Sequence, residues 1–364
     1  MTKHDLPTPS LVLDLDRFEA NFERMRRFAR AVPIHLRPHA KTHKCVEVAR
    51  RQLQVGALGV CVATIKEAEV MAGGGLTGLL ITSEMVGPDK TGRLLRLAAA
   101  HPDTMSVVDH PEHVAVLSRE ALAAGVTLNL LVDLDPGNGR TGVPGGDPAF
   151  ELAKTVHRLP ALSLRGIHCY SSAASHVVGF AAREEFSRQA MAPALETFAR
   201  LREAGVPLEI MTGGSTGTYN IDAGLPGMTE LQVGSYAFMD VDYRRIGGKS
   251  GEVYEDFQPA LKVLATVVSR SHPDRATVDA GYKAFATDRK FGPQPDGFTG
   301  VSYRFSGDEH GILDFANPSR EIRLGDRLEF LVPHCDPNVN LYNNIHCLRG
   351  DQVEAVWPVA GGYA

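Results

Sequence analysis

Eight short β-rich runs separated by helical stretches fill the chain from residue 34 to about residue 240, and this alternation restricts the fold more than any other feature. The runs cover 34–36, 59–64, 78–82, 104–108, 128–134, 162–168, 208–212 and 231–237. Between them lie helix-like pieces such as 66–71, 88–99 and 183–204, and several such pieces stop at a glycine. Parallel strands need a crossover to meet, so strands alternating with helices imply a parallel sheet. Eight such units over roughly 200 residues suit a closed (β/α)8 barrel. The competing architecture is an open doubly wound sheet, against which stands the absence of a G-x-G-x-x-G turn after the first strand. From about residue 247 the pattern changes to β-rich runs at 261–268, 276–278, 327–332 and 352–359, joined by turns rich in Gly, Pro and Asp. The expected division is therefore an α/β barrel over 1–246 and a smaller, mostly β domain over 247–364, with an early strand at about 8–15 free to pair with the β domain.

Composition narrows the function classes. A chain of 364 residues with 43% hydrophobic residues and a net charge of -5 has no global basic field for nucleic acid. The N-terminus lacks a signal-like apolar run, and no segment approaches the roughly 18 uninterrupted apolar residues of a membrane span, so the expectation is a cytoplasmic protein without membrane or nucleic-acid partners. Five scattered cysteines without a C-x-x-C pair read as reduced thiols.

In a barrel of this type catalytic groups collect at the C-terminal ends of the strands, and the polar punctuation of this chain falls there. The first run is followed by R-P-H-A-K-T-H-K, which carries His39 and Lys41. Desolvation and neighbouring cationic groups disfavour a protonated lysine, which makes Lys41 a candidate Schiff-base amine; the alternative is a solvated basic loop. Thr82, Ser83 and Glu84 follow the third run, Arg140 the fifth, and His168, Tyr170 and His176 the sixth. Arg140 is either a loop arginine in an ion pair or a planar donor aimed at a ring nitrogen. The seventh run closes with G-G-S-T-G-T-Y and the eighth carries V-G-S-Y. Glycines let backbone N–H groups converge and hydroxyls add donors, so these loops have the composition of an anion cradle as well as of ordinary turns. The loops after strands 7 and 8 are the recurrent phosphate site of such barrels. Near the C-terminus, V-P-H-C-D-P-N places His334 and Asp336 two residues apart. In an extended segment they share a face while Cys335 points away, and one imidazole plus one carboxylate would leave most positions of a divalent ion open; chance co-occurrence is the alternative.

With these motifs in order, the chain resembles the D-threonine aldolase family and its relatives, the 3-hydroxy-D-aspartate aldolases and D-serine dehydratase-like proteins, all with the alanine-racemase-type fold that binds pyridoxal 5'-phosphate (PLP). The likeness extends over nearly the whole chain, through T-P-S-L-V-L-D-L-D, the lysine tract, G-R-T-G-V, the 170–176 span, G-G-S-T-G, L-Q-V-G-S-Y-A-F-M-D, V-D-A-G-Y-K, D-E-H-G and H-C-D-P. The resemblance implies that Lys41 carries PLP, that Arg140 faces the pyridine nitrogen and that Tyr170 lies near cofactor and substrate. Thr216, Gly217, Thr218, Gly234, Ser235 and Tyr236 would hold the phosphate, His334 and Asp336 a divalent metal (Mn2+, alternatively Mg2+ or Zn2+), and His176 would act as general base. The implied reaction is retro-aldol cleavage of D-3-hydroxy-α-amino acids, of the D-threonine or 3-hydroxy-D-aspartate type, to glycine and an aldehyde by a homodimer. Dehydratases, racemases and non-catalytic PLP-binding regulatory proteins are the alternatives; the regulatory proteins lack a C-terminal β domain. In the dehydratase-like branch the metal pair is His-x-Cys, whereas here Asp336 stands two residues after His334, which favours the aldolase branch. The chain departs from the family's common pattern in carrying Ser171, Ser172 and Ser175 between Tyr170 and His176, which alters the substrate pocket. Arg37 and His43 are further cations that could receive a substrate carboxylate, and D-E-H-G at 308–311 reads either as a subunit-facing segment or as a turn.

Overall fold

A computed structural model describes residues 1–360; the last four residues of the expected β domain, 361–364, lie outside the described residues. The described residues form two compact units, one of Arg26–Lys41 with Val46–Gly234, the other of Met1–Met25 with Thr42–Cys45 and residues 235–360. The early strand joins the C-terminal sheet, as the sequence allows, while the later boundary falls at residue 234 and not at 246. Strand β1 (Ser10–Asp14) and helix α1 (Leu15–Ala31) open the chain.

The barrel unit contains β2 (His35–Leu36), β3 (Cys61–Val62), β4 (Leu80–Ile81), β5 (Met105–Val108), β6 (Leu128–Asp133), β7 (Leu162–Cys169), β8 (Ile210–Gly213) and β9 (Glu230–Leu231). Helices α2 (Val46–Gln54), α3 (Ile65–Gly73), α4 (Pro88–Ala100), α5 (Pro111–Ala124), α6 (Asp147–Arg158), α7 (Ser172–Ser175), α8 (Phe180–Glu203) and α9 (Tyr219–Asp222) connect them. All ladders are parallel, in the order β2-β9-β8-β7-β6-β5-β4-β3. The two ends meet where Leu58 N–H donates to Leu36 O (2.9 Å) and Cys61 N–H to Pro38 O (2.8 Å), beside a bridge between His39 and Cys61. The eight expected strands are therefore present in a closed eight-stranded sheet. The last one is shorter than its run: β9 ends at Leu231, and the chain turns into one 3-10 turn at Ser235–Ala237.

Local chemistry accounts for these elements. Thr64 caps α3 by accepting the Glu67 N–H, and α5 stops at Gly125 in the left-handed conformation. Cys61, Leu80, Met105, Val107, Leu131 and Ile210 form a buried apolar cluster. A side chain at Gly166 would meet Ile210 O at 1.8 Å, so the close approach of β7 to β8 requires glycine there. Arg37 donates from Nε and Nη2 to the two oxygens of Glu230 (2.8 and 2.7 Å) and from Nη1 to Gly78 O, tying the residue after β2 to the starts of β9 and β4. It is thus committed to the barrel wall and does not receive a substrate carboxylate.

In the second unit, β1 pairs antiparallel with β10 (Leu261–His272). The rest of the sheet comprises β11 (Arg275–Val278), β12 (Gln294–Pro295), β13 (Val301–Phe305), β14 (Gly311–Phe315), β15 (Arg327–Leu331), β16 (Asn344–Arg349) and β17 (Gln352–Pro358). Its order is β13-β14-β11-β10-β1-β16-β17, with β15 also pairing β10 and β12. Two short helices, α10 (Val241–Arg244) and α11 (Cys335–Val339), complete it. The D-E-H-G segment is the turn of the β13–β14 hairpin, where Glu309 pairs with Lys283 (2.7 Å). All five cysteines are buried free thiols, and no helix among the described residues is long and apolar enough to cross a membrane.

Candidate active site

At the C-terminal ends of the barrel strands lies a cavity of about 240 Å³. Its wall is supplied by His39 and Lys41 after β2, Ala63 after β3, Thr82, Ser83 and Glu84 after β4, Arg140 and Thr141 after β6, His168 and Tyr170 at the end of β7, and Gln232 after β9. A larger groove of about 600 Å³ beside α4 and α5 holds none of the expected site residues. Lys41 sits in a one-turn 3-10 helix, Ala40–Thr42, its backbone N–H bonded to His39 Nδ1 (3.3 Å), while His39 Nε2 meets Thr82 Oγ1 (3.0 Å). The lysine expected to bind the cofactor therefore shares one cavity with Arg140 and Tyr170. Arg140 is an exposed rim residue whose guanidinium lies 5.4 Å from the Tyr170 ring centroid.

The deep wall is a buried polar chain. His168 Nδ1 donates to Asp133 Oδ1 (2.5 Å), and Thr141 donates to Asp133 Oδ2 (2.9 Å). The other ring nitrogen of His168 meets Gln232 Oε1 (3.3 Å), and Gln232 donates to Thr212 (3.0 Å). Burial alone would raise the Asp133 pKa, but the His168 imidazole and the two hydrogen bonds hold it below the usual carboxylate range. Glu84 behaves oppositely: burial first, then the charges of Asp133 and Asp109, push its carboxyl up to about 7, against a bond from its own backbone N–H. Asp133 and Gln232 were not singled out in the sequence. The signal for Asp133 is an acid closing an otherwise apolar strand, L-N-L-L-V-D; Gln232 sits inside an apolar run and carries no comparable signal.

The loop after β8 folds on itself. Thr218 Oγ1 accepts from Ser215 N–H (3.1 Å) and donates to the buried Asp222 carboxylate, which Ser187 also holds (2.6 Å). Gly217 O accepts from the fully buried Arg183 (2.8 Å). The Thr218 hydroxyl is thus engaged within the loop, as is its backbone N–H, which donates to Ser215 O (3.3 Å). Gln232 N–H donates to Gly213 O (2.7 Å), placing the turn that leads to Gly234 beside this loop. Ser235 and Tyr236 lie in the second unit, where the Tyr236 ring packs between Phe22 (5.6 Å) and Phe257 (5.7 Å). His43 is fully buried, accepts the Cys45 N–H and faces Phe238, so it too is absent from the cavity wall.

His176 follows α7 and is not part of the cavity wall. The three serines before it build that helix: Ser171 caps it by accepting the Ala174 N–H (3.2 Å), and Ser175 donates to Ser171 O (3.1 Å).

His334 and Asp336 are not on an extended strand. His334 is the N-cap of α11 and Asp336 lies in its first turn, followed by Pro337, a position that proline tolerates. Asp240 accepts the Cys335 N–H (2.9 Å), which fixes the helix start and buries Cys335, while His334 and Asp336 stay half-buried. His334 Nδ1 is held by Asp288 (2.7 Å), a carboxylate–imidazole pairing that fixes the orientation of the ring. No group of three or more His, Cys, Asp or Glu side chains gathers in metal-binding geometry among the described residues.

Residues 13–242 match the family described as "Alanine racemase, N-terminal domain", and residues 260–348 match "Putative serine dehydratase domain". D-threonine aldolase from Arthrobacter sp is 37% identical over 97% of this chain and 92% of its own length. 3-hydroxy-D-aspartate aldolase from Paracoccus denitrificans (strain Pd 1222) is 36% identical, covering 99% and 93%. The crystal structure of D-threonine aldolase from Filomicrobium marinum superposes with a TM-score of 0.93 at 37% identity, covering 98% of this chain and 96% of the other. With its alanine-racemase-like fold, the chain belongs to the family of the D-threonine and 3-hydroxy-D-aspartate aldolases.

Proposed function

We propose that the protein is a lyase that cleaves D-3-hydroxy-α-amino acids between Cα and Cβ, releasing glycine and an aldehyde. The observation that carries this reading is Lys41 on the wall of the strand-end cavity, in a chain whose aldolase relatives match it over almost its full length. PLP joined to Lys41 would supply the electron sink that such a cleavage needs. The residues present fit it: an amine and the Tyr170 ring on the wall of one cavity, and after β8 a loop, G-G-S-T-G, with the glycine and hydroxyl composition of a phosphate cradle. Thr216, Gly217, Thr218, Gly234, Ser235 and Tyr236 are assigned to the phosphate on the family resemblance. Arg140 guards the rim, where a planar cation can engage the ring or a substrate carboxylate.

His334 and Asp336 would hold a divalent ion, Mn2+ in preference to Mg2+ or Zn2+, whose charge would lower the pKa of a substrate hydroxyl. His176 accepts the hydroxyl proton, and the serine-built helix α7 fixes its place in the chain. The match of residues 260–348 to a dehydratase domain favours one second reading, loss of the β-hydroxyl as water to give a 2-oxo acid and ammonia. The buried thiols, none of them in a disulfide, are in keeping with the reducing cytoplasm, and the homodimer is carried by the family resemblance.

Incubating the PLP-reconstituted protein with D- and L-3-hydroxy amino acids and Mn2+ separates the readings. Glycine from D-substrates alone is expected. A 2-oxo acid with ammonia supports dehydration, and inversion without cleavage marks a racemase. Chelation followed by repletion with each ion ranks the metals, and light scattering reads the oligomeric state.

A further inference from the structure

Glu84 stands out among the cavity residues because its environment opposes its charge. It lines the cavity with Lys41, yet its carboxyl faces Asp133 on β6 and Asp109 after β5. Its Oε1 is buried without a hydrogen-bond partner among the described residues. Asp133 already receives hydrogen bonds on both oxygens, from His168 and Thr141, so its own charge is satisfied. A proton shared between the two acids therefore rests on Glu84, where the neutral carboxyl can donate to Asp133 or into the cavity.

Resting on the retro-aldol reading, we infer that Glu84 is the acid–base residue at the substrate Cα: it enters as a neutral carboxylic acid and delivers its proton to Cα once the Cα–Cβ bond has broken. His176 takes the hydroxyl proton, the O–H electrons form the carbonyl of the aldehyde, and the electron pair of the broken bond is left at Cα. There it takes the Glu84 proton: a C–H bond forms as the carboxyl O–H bond breaks. The proton held by His176 passes to solvent and another returns from solvent to Glu84, so nothing is consumed but the substrate.

The position of the residue explains why it is suited to this task. The charged and titratable groups around it are Asp133 and Asp109, which hold the proton on, and Lys41, His39, His168 and Arg140 on the cavity wall, whose positive charge, where present, favours the carboxylate. With its pKa pushed up to about 7, Glu84 lies where both the acid and the base are populated under ordinary conditions.

The test uses glycine alone, so that no bond between carbons need break. Holoprotein in D2O exchanges the glycine α-hydrogen, followed by proton NMR. Exchange begins with the carboxylate as base and is expected to rise with pH through about 7, whereas cleavage ends with the acid as donor and is expected to fall over the same range. Glu84→Gln is expected to slow exchange about 100-fold and to abolish both pH limbs. Unchanged melting and cofactor absorbance show that this variant is folded and loaded. Glu84→Asp, which keeps a carboxyl, is expected to restore part of the exchange. In Asp133→Asn one repelling charge is gone, so both limbs move to lower pH. Exchange by Glu84→Gln at the wild-type rate, or no exchange by the wild-type holoprotein, overturns the inference. A wild-type protein that exchanges glycine through Glu84 but cleaves no D-3-hydroxy amino acid refutes the retro-aldol reading and leaves the acid–base role standing.

Discussion

Two pairs of buried charge in the barrel unit behave in opposite ways. Arg37 and Glu230 are 5% and 3% exposed, and the guanidinium meets both carboxylate oxygens while its third nitrogen serves Gly78 O. Glu84 and Asp133 are two acids side by side, one satisfied by His168 and Thr141, the other left with an unmatched oxygen. The first pair cancels its charge and fixes the geometry of three strands. The second retains a conflict that a purely structural site would remove by an apolar replacement. Of these two pairs, the satisfied one serves the architecture of the barrel and the conflicted one lies at the strand-end cavity.

The largest expected effect lies on the chemical side. Lys41→Ala leaves the Arg37–Glu230 pair untouched, so the barrel should unfold at wild-type denaturant concentrations, but the protein should no longer develop visible absorbance when PLP is added. A band of wild-type intensity in Lys41→Ala would sink the cofactor assignment. Next comes the architectural side. Arg37→Met strands the Glu230 carboxylate in the wall and is expected to destabilise the fold by about 3–5 kcal/mol in urea unfolding. Arg37→Met combined with Glu230→Leu should recover most of that loss, because neither charge is then buried alone. A double variant no better than the single one would show that the pair does more than neutralise itself.

A smaller, pH-dependent effect distinguishes the two pairs directly. The folded-state pKa of Glu84 is raised from the ordinary 4.5 to about 7, so folding favours its protonated form. Its contribution to stability is full below about pH 4.5 and is lost as pH rises through about 7. Relative to Glu84→Gln, the wild-type melting temperature should fall across that window, whereas Arg37→Met should lower it at every pH in the window. Parallel curves for wild type and Glu84→Gln would show that Glu84 is solvated after all.

The alternation of strands and helices made the barrel legible, since each of the eight runs overlaps an observed strand. The eighth run misled in length, because V-G-S-Y-A continues an apolar pattern while the chain leaves the sheet at Leu231, with Tyr236 seated among aromatic rings. Strands β13 and β14 were missed although V-S-Y-R-F alternates apolar and polar residues, because each is only five residues long and their pairing across D-E-H-G is a tertiary fact. At the site, Lys41 could be picked out because a cationic tract at a strand end is unusual locally. Arg37 could not be told from a binding cation, since only the ladder between β2 and β9 brings Glu230 to it. The same holds for His334 and Asp336: the sequence places them two apart, but the Asp240 carboxylate on the Cys335 N–H makes the segment helical.

The smallest expected effect concerns the three serines, where architecture and chemistry meet. Ser171→Ala removes the cap of a four-residue helix, an interaction worth about 1 kcal/mol at an ordinary helix start. So short a helix can open without the rest of the barrel, so the global unfolding midpoint should barely move. The loss should instead appear as a several-fold lower kcat with little change in KM, because His176 follows directly on the last turn of α7 and its proton-accepting position depends on that turn. Ser171→Asn supplies an equally good, uncharged cap at this buried position and should restore the rate; Ser171→Gly should restore part of it. If Ser171→Ala lowers the rate and neither variant recovers it, Ser171 acts on the substrate itself, and the departure of this segment from the family pattern is a matter of specificity and not of helix building.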